Sequence, residues 1–173
     1  MVMAMDTVMG MDMEKERNIR IVDINEYLPV LIDILKTGKD VPLLISGNSM
    51  SPFIFHKRDT IIISPKSEPL YKGEMVFFIR DNGQYVMHRI HHIDSNGDLY
   101  IVGDAQTEIE GPVREDQVFG VVHRVIRKGK ICEKGNFWYD FFEKVWIRIV
   151  PLRPYLRKLY ECFGKFKSIF IKG

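Results

Sequence analysis

The feature that most constrains the fold is a series of short runs rich in β-branched and aromatic residues between positions 43 and 126. Turn-forming clusters separate these runs, for example Asp-Asn-Gly at 81–83 and Ser-Asn-Gly-Asp at 95–98. Short runs broken in this way are typical of antiparallel strands. The predicted strands are 43–46, 60–64, 74–80, 85–93, 99–102 and 117–126. The sequence therefore predicts a mainly β protein, built on a small, folded-over antiparallel β domain.

Helical periodicity flanks this β region on both sides. Apolar residues recur at helical spacing over 21–35, and Gly38 and Pro42 favour the end of that helix. After residue 135, aromatic and basic residues fall on opposite faces of a further helical pattern, which two prolines interrupt. The predicted organisation is a disordered N-terminal tail (1–20), a helix plus β domain (21–131, core 41–127) and a basic, aromatic, amphipathic helical tail (132–173).

The net charge of +2 conceals two opposed parts of the chain. Residues 121–173 carry 13 Lys and Arg against 4 Asp and Glu, whereas residues 1–120 carry 12 against 19. A hydrophobic content of 46% excludes wholesale disorder. An acidic body with a basic extension is typical of proteins whose extension meets an anionic surface.

The chain ends and the cysteines give no sign of secretion or of membrane insertion. Six of the nine methionines lie in the first 13 residues, without the basic region and long apolar run of a signal peptide, which indicates an over-extended start. No stretch reaches the roughly 18 uninterrupted apolar residues of a membrane span. We therefore expect no transmembrane span and a cytoplasmic location or one peripheral to the membrane. Cys132 and Cys162 fit no CxxC spacing.

Ser49 lies in the segment with the clearest potential for chemistry. A predicted strand runs into Ser-Gly-Asn at 46–48, Ser49 follows, and a proline stands at 52. A serine at a tight strand exit can expose its hydroxyl while its own N–H helps to line an oxyanion site. The same residues also suit an ordinary turn, and the segment alone does not decide between the two.

Two further positions have side chains that could assist a serine. His88 alternates with Val86 and Ile90 in a predicted strand, so the three point to one face, where the imidazole is either structural or a general base. Asp104 follows Gly103 at the end of another strand, where its carboxylate could orient an imidazole or simply serve a turn.

Taken together and in this order, the segments resemble the signal peptidase I and LexA-like serine peptidase superfamily. The resemblance covers about residues 41–127, and a histidine at 88 is similar to the endoplasmic-reticulum and archaeal branch, since bacterial signal peptidases and LexA-like repressors carry lysine there. The segments that carry it are Ser-Gly-Asn-Ser-Met-Ser-Pro (46–52), Arg-Asp-Thr-Ile-Ile (58–62), Lys-Gly-Glu-Met-Val-Phe-Phe (72–78), Val-Met-His-Arg-Ile (86–90), Gly-Asp-Ala (103–105) and Val-Phe-Gly-Val-Val (118–122).

The resemblance implies a serine endopeptidase that cleaves an extended peptide or a leader or signal segment. Ser49 would be the nucleophile, His88 the general base and Asp104 the acid that orients it, while Glu110 stands where histidine-type enzymes often have a further acid. The implied oxyanion and substrate-binding residues are Ser49, Gly47, Met50 and Pro52. Many signal peptidases have serine at the position of Gly47, so the oxyanion site would depend on the N–H of Ser49. No cofactor is implied.

The chain departs from the family pattern at two other boxes and in its lack of a predicted membrane anchor. Arg-Asp at 58–59 and Gly-Glu at 73–74 each stand where Gly-Asp is usual, and both keep the acid. The alternative function is a non-catalytic or self-cleaving LexA-like regulatory or peptide-binding module. Against a repressor, residues 1–40 offer only one good helix.

Three other functions were weighed from the sequence. A metal site at His88, His91 and His92 is not expected, because strand alternation sends the last two to opposite faces. No recognition helix or RNA-binding motif accompanies the basic segment 124–134, so nucleic acid is not an expected partner. Residues 136–173 could either cover the β domain as a packed helix or contact a membrane peripherally.

Overall fold

Ten short strands join into one antiparallel sheet within the residues that the computed structural model describes, which are 2–5, 20–66, 69–156 and 158. Nine follow the order β2-β1-β3-β4-β9-β5-β6-β7-β8, and β10 pairs with β9. The strands are β1 (Val2–Met5), β2 (Arg20–Asp23), β3 (Val41–Leu44), β4 (Thr60–Pro65), β5 (Met75–Ile79), β6 (Tyr85–Ile93), β7 (Leu99–Val102), β8 (Glu110–Val113), β9 (Val118–Arg127) and β10 (Lys130–Glu133). The predicted mainly β fold with an N-terminal helix is confirmed.

All six predicted strands are present, with ends displaced by a few residues, and the sequence patterns missed four others. β8 reads Glu-Gly-Pro-Val, a composition that strands usually avoid, so its pairing with β7 is set by the surrounding fold. β10 follows β9 through Lys128 and Gly129, whose φ angles of 48° and 76° fit a two-residue hairpin turn.

The N-terminal segment differs in part from the predicted disordered tail. Val2–Met5 forms β1, which pairs with β2 along its length and with β3 at Ala4 and Leu44. Residues 6–19 lie outside the described residues, so the prediction for them stays a prediction.

The predicted first helix is α1 (Ile24–Lys36), and it packs one apolar stripe against the sheet. Leu28, Leu31 and Leu35 are buried at helical spacing and join the larger core cluster. Gly38 ends the helix at φ 82°, and its N–H donates to the carbonyl of Leu35, as the sequence predicts for a stop at this glycine.

The sheet is buried on both faces at β5, which places a core on each side of it. Met75 and Phe77 belong to the larger cluster with α1, whereas Val76 and Phe78 belong to a second cluster with β6 to β9. Strand alternation requires this division. The segment after Ser49 packs into the larger cluster, while β6, which carries His88, contributes side chains to both clusters.

The C-terminal segment also packs on the β domain. α2 (Phe137–Lys144) is followed by two short 3₁₀ turns, Trp146–Arg148 and Val150–Leu152. Tyr139 and Phe142 lie in the larger core cluster, so segments on both sides of the predicted boundary at 131/132 share one core. The second half of the predicted tail, from 159 on, lies outside the described residues. None of the helices in the described ranges has the length and apolar character that crossing a membrane requires.

Candidate active site

Ser49 lies in a tight turn a few residues after β3. The N–H of Ser51 donates to the carbonyl of Asn48 at 3.1 Å, and the N–H of Gly47 donates to His56 Nδ1 at 3.0 Å. Gly47 has φ 130°, a conformation that residues with a Cβ rarely adopt. The turn is therefore closed by local hydrogen bonds, and a serine side chain at position 47 would be strained.

The residues after Ser49 fix the turn to the core. Met50 is 2% exposed, and Phe53 and Ile54 are fully buried. Burial of each such side chain stabilises the fold by about 1.5–3 kcal/mol. The side chain of Met50, a predicted substrate-binding residue, belongs to the larger core cluster, and its substrate-binding role stays a prediction. Pro52 is exposed beside the turn.

The backbone N–H of Ser49 is free to bind a ligand. Within the described residues it donates to no acceptor, while the carbonyl of Ser49 accepts from the N–H of Ala105 at 2.8 Å. A fixed peptide with an unpaired N–H beside a serine hydroxyl is the donor that an oxyanion requires.

His88 lies on β6, opposite Val76 of β5, and is 2% exposed. Burial lowers the pKa of its imidazole to about 4; Glu110 opposes this shift and Arg80 adds to it. The ring is therefore neutral at neutral pH. A neutral imidazole can accept the proton of a serine hydroxyl, so burial makes His88 a base that is always ready at that pH.

Gly103 is the point at which Ser49 and His88 meet. A Cβ atom at this glycine would lie 2.7 Å from the carbonyl oxygen of Ser49 and 3.1 Å from His88 Nε2. Both atoms therefore approach the same side of Gly103, and only glycine leaves room for them. The structure thus brings the backbone carbonyl of Ser49 and the His88 ring close to each other just after β7, and the roles of the two residues stay a prediction.

Asp104 lies in the same loop but does not face His88. Its carboxylate is fully buried and accepts from Arg89 Nε at 2.9 Å and 3.1 Å, one bond on each oxygen. No hydrogen bond joins Asp104 to His88 among the described residues. The expectation that Asp104 orients the imidazole thus needs correction. The buried guanidinium of Arg89 requires a negatively charged partner, and the carboxylate of Asp104 is that partner.

Arg89 connects three parts of the site. Besides Asp104, it donates from Nη1 to the carbonyl of Gly73 at 2.9 Å, and its guanidinium lies 4.9 Å from the ring centroid of Phe53. The loop of Asp104, the turn before β5 and the segment after Ser49 are therefore held by one side chain. The pair of Arg89 and Asp104 is structural support for the site.

Glu110 is the acid that faces His88. Its Oε2 lies 3.9 Å from His88 Nδ1, and Nδ1 has no hydrogen-bond partner among the described residues. Both carboxylate oxygens of Glu110 accept from the guanidinium of Arg80. A movement of about 1 Å would bring the carboxylate to hydrogen-bond distance of Nδ1. Glu110, which the resemblance implied only as a further acid, is thus better placed than Asp104 to orient His88.

The acids retained in the two departing boxes are both buried and structural. Asp59 accepts from the N–H of Phe55 at 2.9 Å and pairs with Arg58. Glu74 accepts from the N–H of Tyr71 at 3.3 Å, and burial raises the pKa of its carboxyl to about 7. Each fixes a loop beside the site, which explains why the acid is kept at these positions while its neighbours differ.

The histidines that follow His88 do not obey simple strand alternation. A register shift between Ile90 and His92 interrupts the pairing of β6 with β7, and His91 Nδ1 lies 2.9 Å from His92 Nδ1. The expectation that these two rings point to opposite faces is therefore wrong. The described residues contain no group of three or more side chains suited to hold a metal ion.

Three residues of the site were not identified from the sequence as functional. Gly103 and Arg89 lie inside segments that carry the resemblance, but the sequence does not show which residues they contact. Arg80 had no signal, because its contact with Glu110 depends on β8, a strand that the sequence pattern missed.

The fold and the site together define a mainly β domain with a serine on a tight turn and a buried, neutral imidazole near the backbone of that serine. Comparison with known families agrees: the model of the Peptidase S24-like family matches residues 4–123, and the chain belongs to this family. This confirms the LexA-like and signal peptidase-like superfamily; the histidine-type branch stays a prediction. No curated protein and no solved structure gives a significant match.

Proposed function

We propose that the protein is a serine endopeptidase with Ser49 as nucleophile and His88 as general base. The observation that carries this proposal is the approach of the Ser49 carbonyl oxygen and His88 Nε2 to the same side of Gly103. A buried neutral imidazole has no structural need for a serine turn at its Nε2 edge. A general base that takes the proton of the serine hydroxyl must, by contrast, lie next to that serine.

In the proposed reaction, the Ser49 hydroxyl attacks the peptide carbonyl carbon while its proton passes to His88 Nε2. The N–H of Ser49 stabilises the oxyanion. The C–N bond then breaks, and the proton on Nε2 goes to the leaving amine. A water molecule repeats the sequence on the acyl-enzyme, which releases the carboxylic acid and restores Ser49.

Glu110 takes the orienting role that the sequence assigned to Asp104. In each half-reaction His88 becomes a buried cation, which its low pKa of about 4 makes costly. A carboxylate at Nδ1 offsets part of that cost and keeps the proton on Nδ1, so that Nε2 is the accepting nitrogen. Arg80 holds Glu110 in place by binding both of its oxygens.

We propose that the substrate binds as an extended strand along β3, the strand that leads to Ser49. β3 pairs fully with β4 on one side but on the other only with β1, at Ala4 and Leu44. An edge with unpaired backbone groups accepts an added strand. A leader or signal segment fits such an edge because it is recognised in an extended form.

The imidazole at position 88 also supports the histidine-type branch, which resembles the endoplasmic-reticulum and archaeal signal peptidases. Membrane contact through 136–173 belongs to the same proposal. Several apolar side chains of this segment are exposed while basic residues lie nearby, a combination that favours an anionic lipid interface. The exposed set is Phe137, Trp138, Val145, Leu152, Tyr155 and Leu156, with Lys144 and Arg148 beside it.

The test uses a serine-reactive phosphonate probe and peptide cleavage by the full chain. Wild type should be labelled at Ser49, and Ser49→Ala and His88→Ala should lose cleavage while the circular dichroism spectrum stays unchanged. Wild-type cleavage in either variant refutes the proposal.

The alternative is a LexA-like module that is regulatory or cleaves itself, and one observation favours it. The chain's own β1 lies at the edge of β3, where a self-derived segment would bind. A folded wild-type sample that the probe does not label would support the module.

A further inference from the structure

The loop that carries Asp104 is held from outside the β domain. Arg153 Nη1 donates to the carbonyls of Gly103 and Gln106, both at 2.8 Å, and Trp146 Nε1 donates to the carbonyl of Asp104 at 2.9 Å. Three of the four carbonyls of residues 103–106 thus bind side chains of the C-terminal segment. We call this stretch the 103–106 loop, and Trp146 with Arg153 the C-terminal clamp.

The clamp is itself a rigid unit. Arg153 is 4% exposed, donates from Nη2 to the carbonyl of Trp146 at 3.0 Å and stacks its guanidinium 5.2 Å from the centre of the Trp146 ring. Burial lowers the pKa of Arg153 to about 10, so the side chain stays charged at neutral pH. A buried cation that donates to neutral carbonyls forms stronger hydrogen bonds than an amide would.

The opposite side of the 103–106 loop bears on the reacting residues. The N–H of Ala105 holds the carbonyl of Ser49 at 2.8 Å, and Gly103 lies against His88 Nε2. The loop is therefore placed between the clamp and the site, and the position of the Ser49 peptide depends on it.

We propose that Trp146 and Arg153 are positioning residues for the Ser49 and His88 site. The inference rests on the proposed peptidase function and adds to it a role for residues outside the 4–123 family match. Without the clamp, the carbonyls of Asp104 and Gln106 lose their side-chain donors, the carbonyl of Gly103 keeps only the N–H of Gln106, and the loop relaxes toward solvent. The Ser49 peptide then loses the geometry that its N–H needs to meet an oxyanion.

The expected signature separates positioning from general stability. Misplacement of a reacting group by about 1 Å costs on the order of 100-fold in rate. Because the proposed substrate edge is β3, which the clamp does not touch, the loss should fall on kcat with KM unchanged. Local opening of the loop should appear as faster amide exchange at Ala105, whose N–H bonds Ser49.

The experiment compares the full chain with Trp146→Phe, Arg153→Gln and Arg153→Lys. Trp146→Phe keeps an aromatic ring but removes the Nε1 donor together with part of the indole, and Arg153→Lys keeps the charge. Arg124→Gln is the matched control, because Arg124 is an exposed arginine of β9 that contacts neither the 103–106 loop nor the C-terminal clamp. The readouts are kcat and KM for peptide cleavage, the rate of phosphonate labelling at Ser49, and amide exchange at Ala105 by NMR.

We expect Arg153→Gln and Trp146→Phe to lower kcat about 10–100-fold and to speed Ala105 exchange. Arg153→Lys should recover part of the rate, and Arg124→Gln should match wild type. Wild-type kcat and exchange in Trp146→Phe overturn the inference, as does a lost kcat with Ala105 exchange unchanged. If Arg153→Gln does not fold, Trp146→Phe decides. If wild type itself neither cleaves nor labels, the proposed function fails, and Ala105 exchange still tests the clamp.

Discussion

A single methyl group at Gly103 should inactivate the protein more than it destabilises it. In Gly103→Ala the new Cβ would lie 2.7 Å from the Ser49 carbonyl oxygen, 2.8 Å from Gln106 Oε1 and 3.1 Å from His88 Nε2. The glutamine can rotate away, but the Ser49 carbonyl is backbone and the His88 ring is packed in β6. An ordinary contact near 3.4 Å requires the Ser49 carbonyl and the loop to separate by about 0.7 Å.

That displacement acts on the reacting groups directly. It stretches the 2.8 Å hydrogen bond from the Ala105 N–H to the Ser49 carbonyl and shifts the backbone of Ser49, including the N–H that is the proposed oxyanion donor. A misplacement of this size should lower kcat about 100-fold, which corresponds to roughly 2.7 kcal/mol of transition-state stabilisation. Overpacking by one methyl group should lower the free energy of unfolding by about 1–3 kcal/mol.

Gly120→Ala is the matched control. There the added Cβ would lie 2.6 Å from Ile63 Cγ2 and 3.2 Å from the Ser64 carbonyl, an overpacking of similar severity in β9 that touches neither Ser49 nor His88. Urea unfolding and peptide cleavage would be measured on both variants at a temperature where both are folded. We expect similar losses of stability but a large loss of kcat in Gly103→Ala alone. Equal kcat in the two variants would refute the reasoning that Gly103 sets the approach of Ser49 to His88.

Three further predictions follow from the same geometry. Glu110→Gln should lower kcat about 10–100-fold, because the imidazolium of His88 loses its facing carboxylate; steady-state cleavage measures this, and an unchanged kcat would contradict the assignment. Because the pKa of His88 is about 4 when folded and near 6.5 when unfolded, the unfolded chain takes up the proton first as the pH falls. His88 should therefore contribute a loss of stability of roughly 3 kcal/mol between about pH 6.5 and pH 4. Glu74, whose pKa burial raises to about 7, stabilises the fold over the same fall in pH, so urea unfolding should show the His88 loss as the difference between wild type and His88→Gln. An equal pH dependence in the two proteins would contradict it. In liposome flotation, full-length protein should bind anionic vesicles and Phe137→Ser/Trp138→Ser should bind them less; full-length protein that stays unbound contradicts membrane contact.

The elements that the sequence predicted are those whose signal is local. The helix predicted over 21–35 has its apolar stripe and its terminating glycine within one stretch of sequence. The strands predicted at 85–93 and 99–102 are rich in β-forming residues and are bounded by turn clusters. Ser49 and His88 could be proposed from the sequence for the same reason, since each stands in a short, recognisable segment. The resemblance implied that the two residues lie close together, but only the structure shows that the Ser49 carbonyl and His88 Nε2 both approach Gly103.

The elements that the sequence missed depend on partners far along the chain. β8 contains Gly111 and Pro112, so nothing in its own composition favours a strand, and only its pairing with β7 makes it one. The rings of His91 and His92 lie together because the pairing of β6 with β7 shifts register between Ile90 and His92. Simple strand alternation cannot predict such a shift. The role of the C-terminal segment was left open between packing and membrane contact, because the partners of Trp146 and Arg153 lie 42 to 50 residues earlier.

The exchange of roles between Asp104 and Glu110 shows why an acid near a histidine in a motif is not enough to assign a triad. Both acids lie close to His88 in the sheet, but each has a different competing cation: fully buried Arg89 binds Asp104 on both oxygens, whereas partly exposed Arg80 binds Glu110 and leaves it facing Nδ1. A buried guanidinium cannot give up its counter-charge without a cost of several kcal/mol, so Asp104 is not available to an imidazole that is protonated only transiently. A partly solvated pair such as Arg80 and Glu110 can rearrange by about 1 Å at little cost. We therefore propose Glu110 as the acid that orients His88, because its pairing with Arg80 rearranges more easily than the pairing of Asp104 with Arg89.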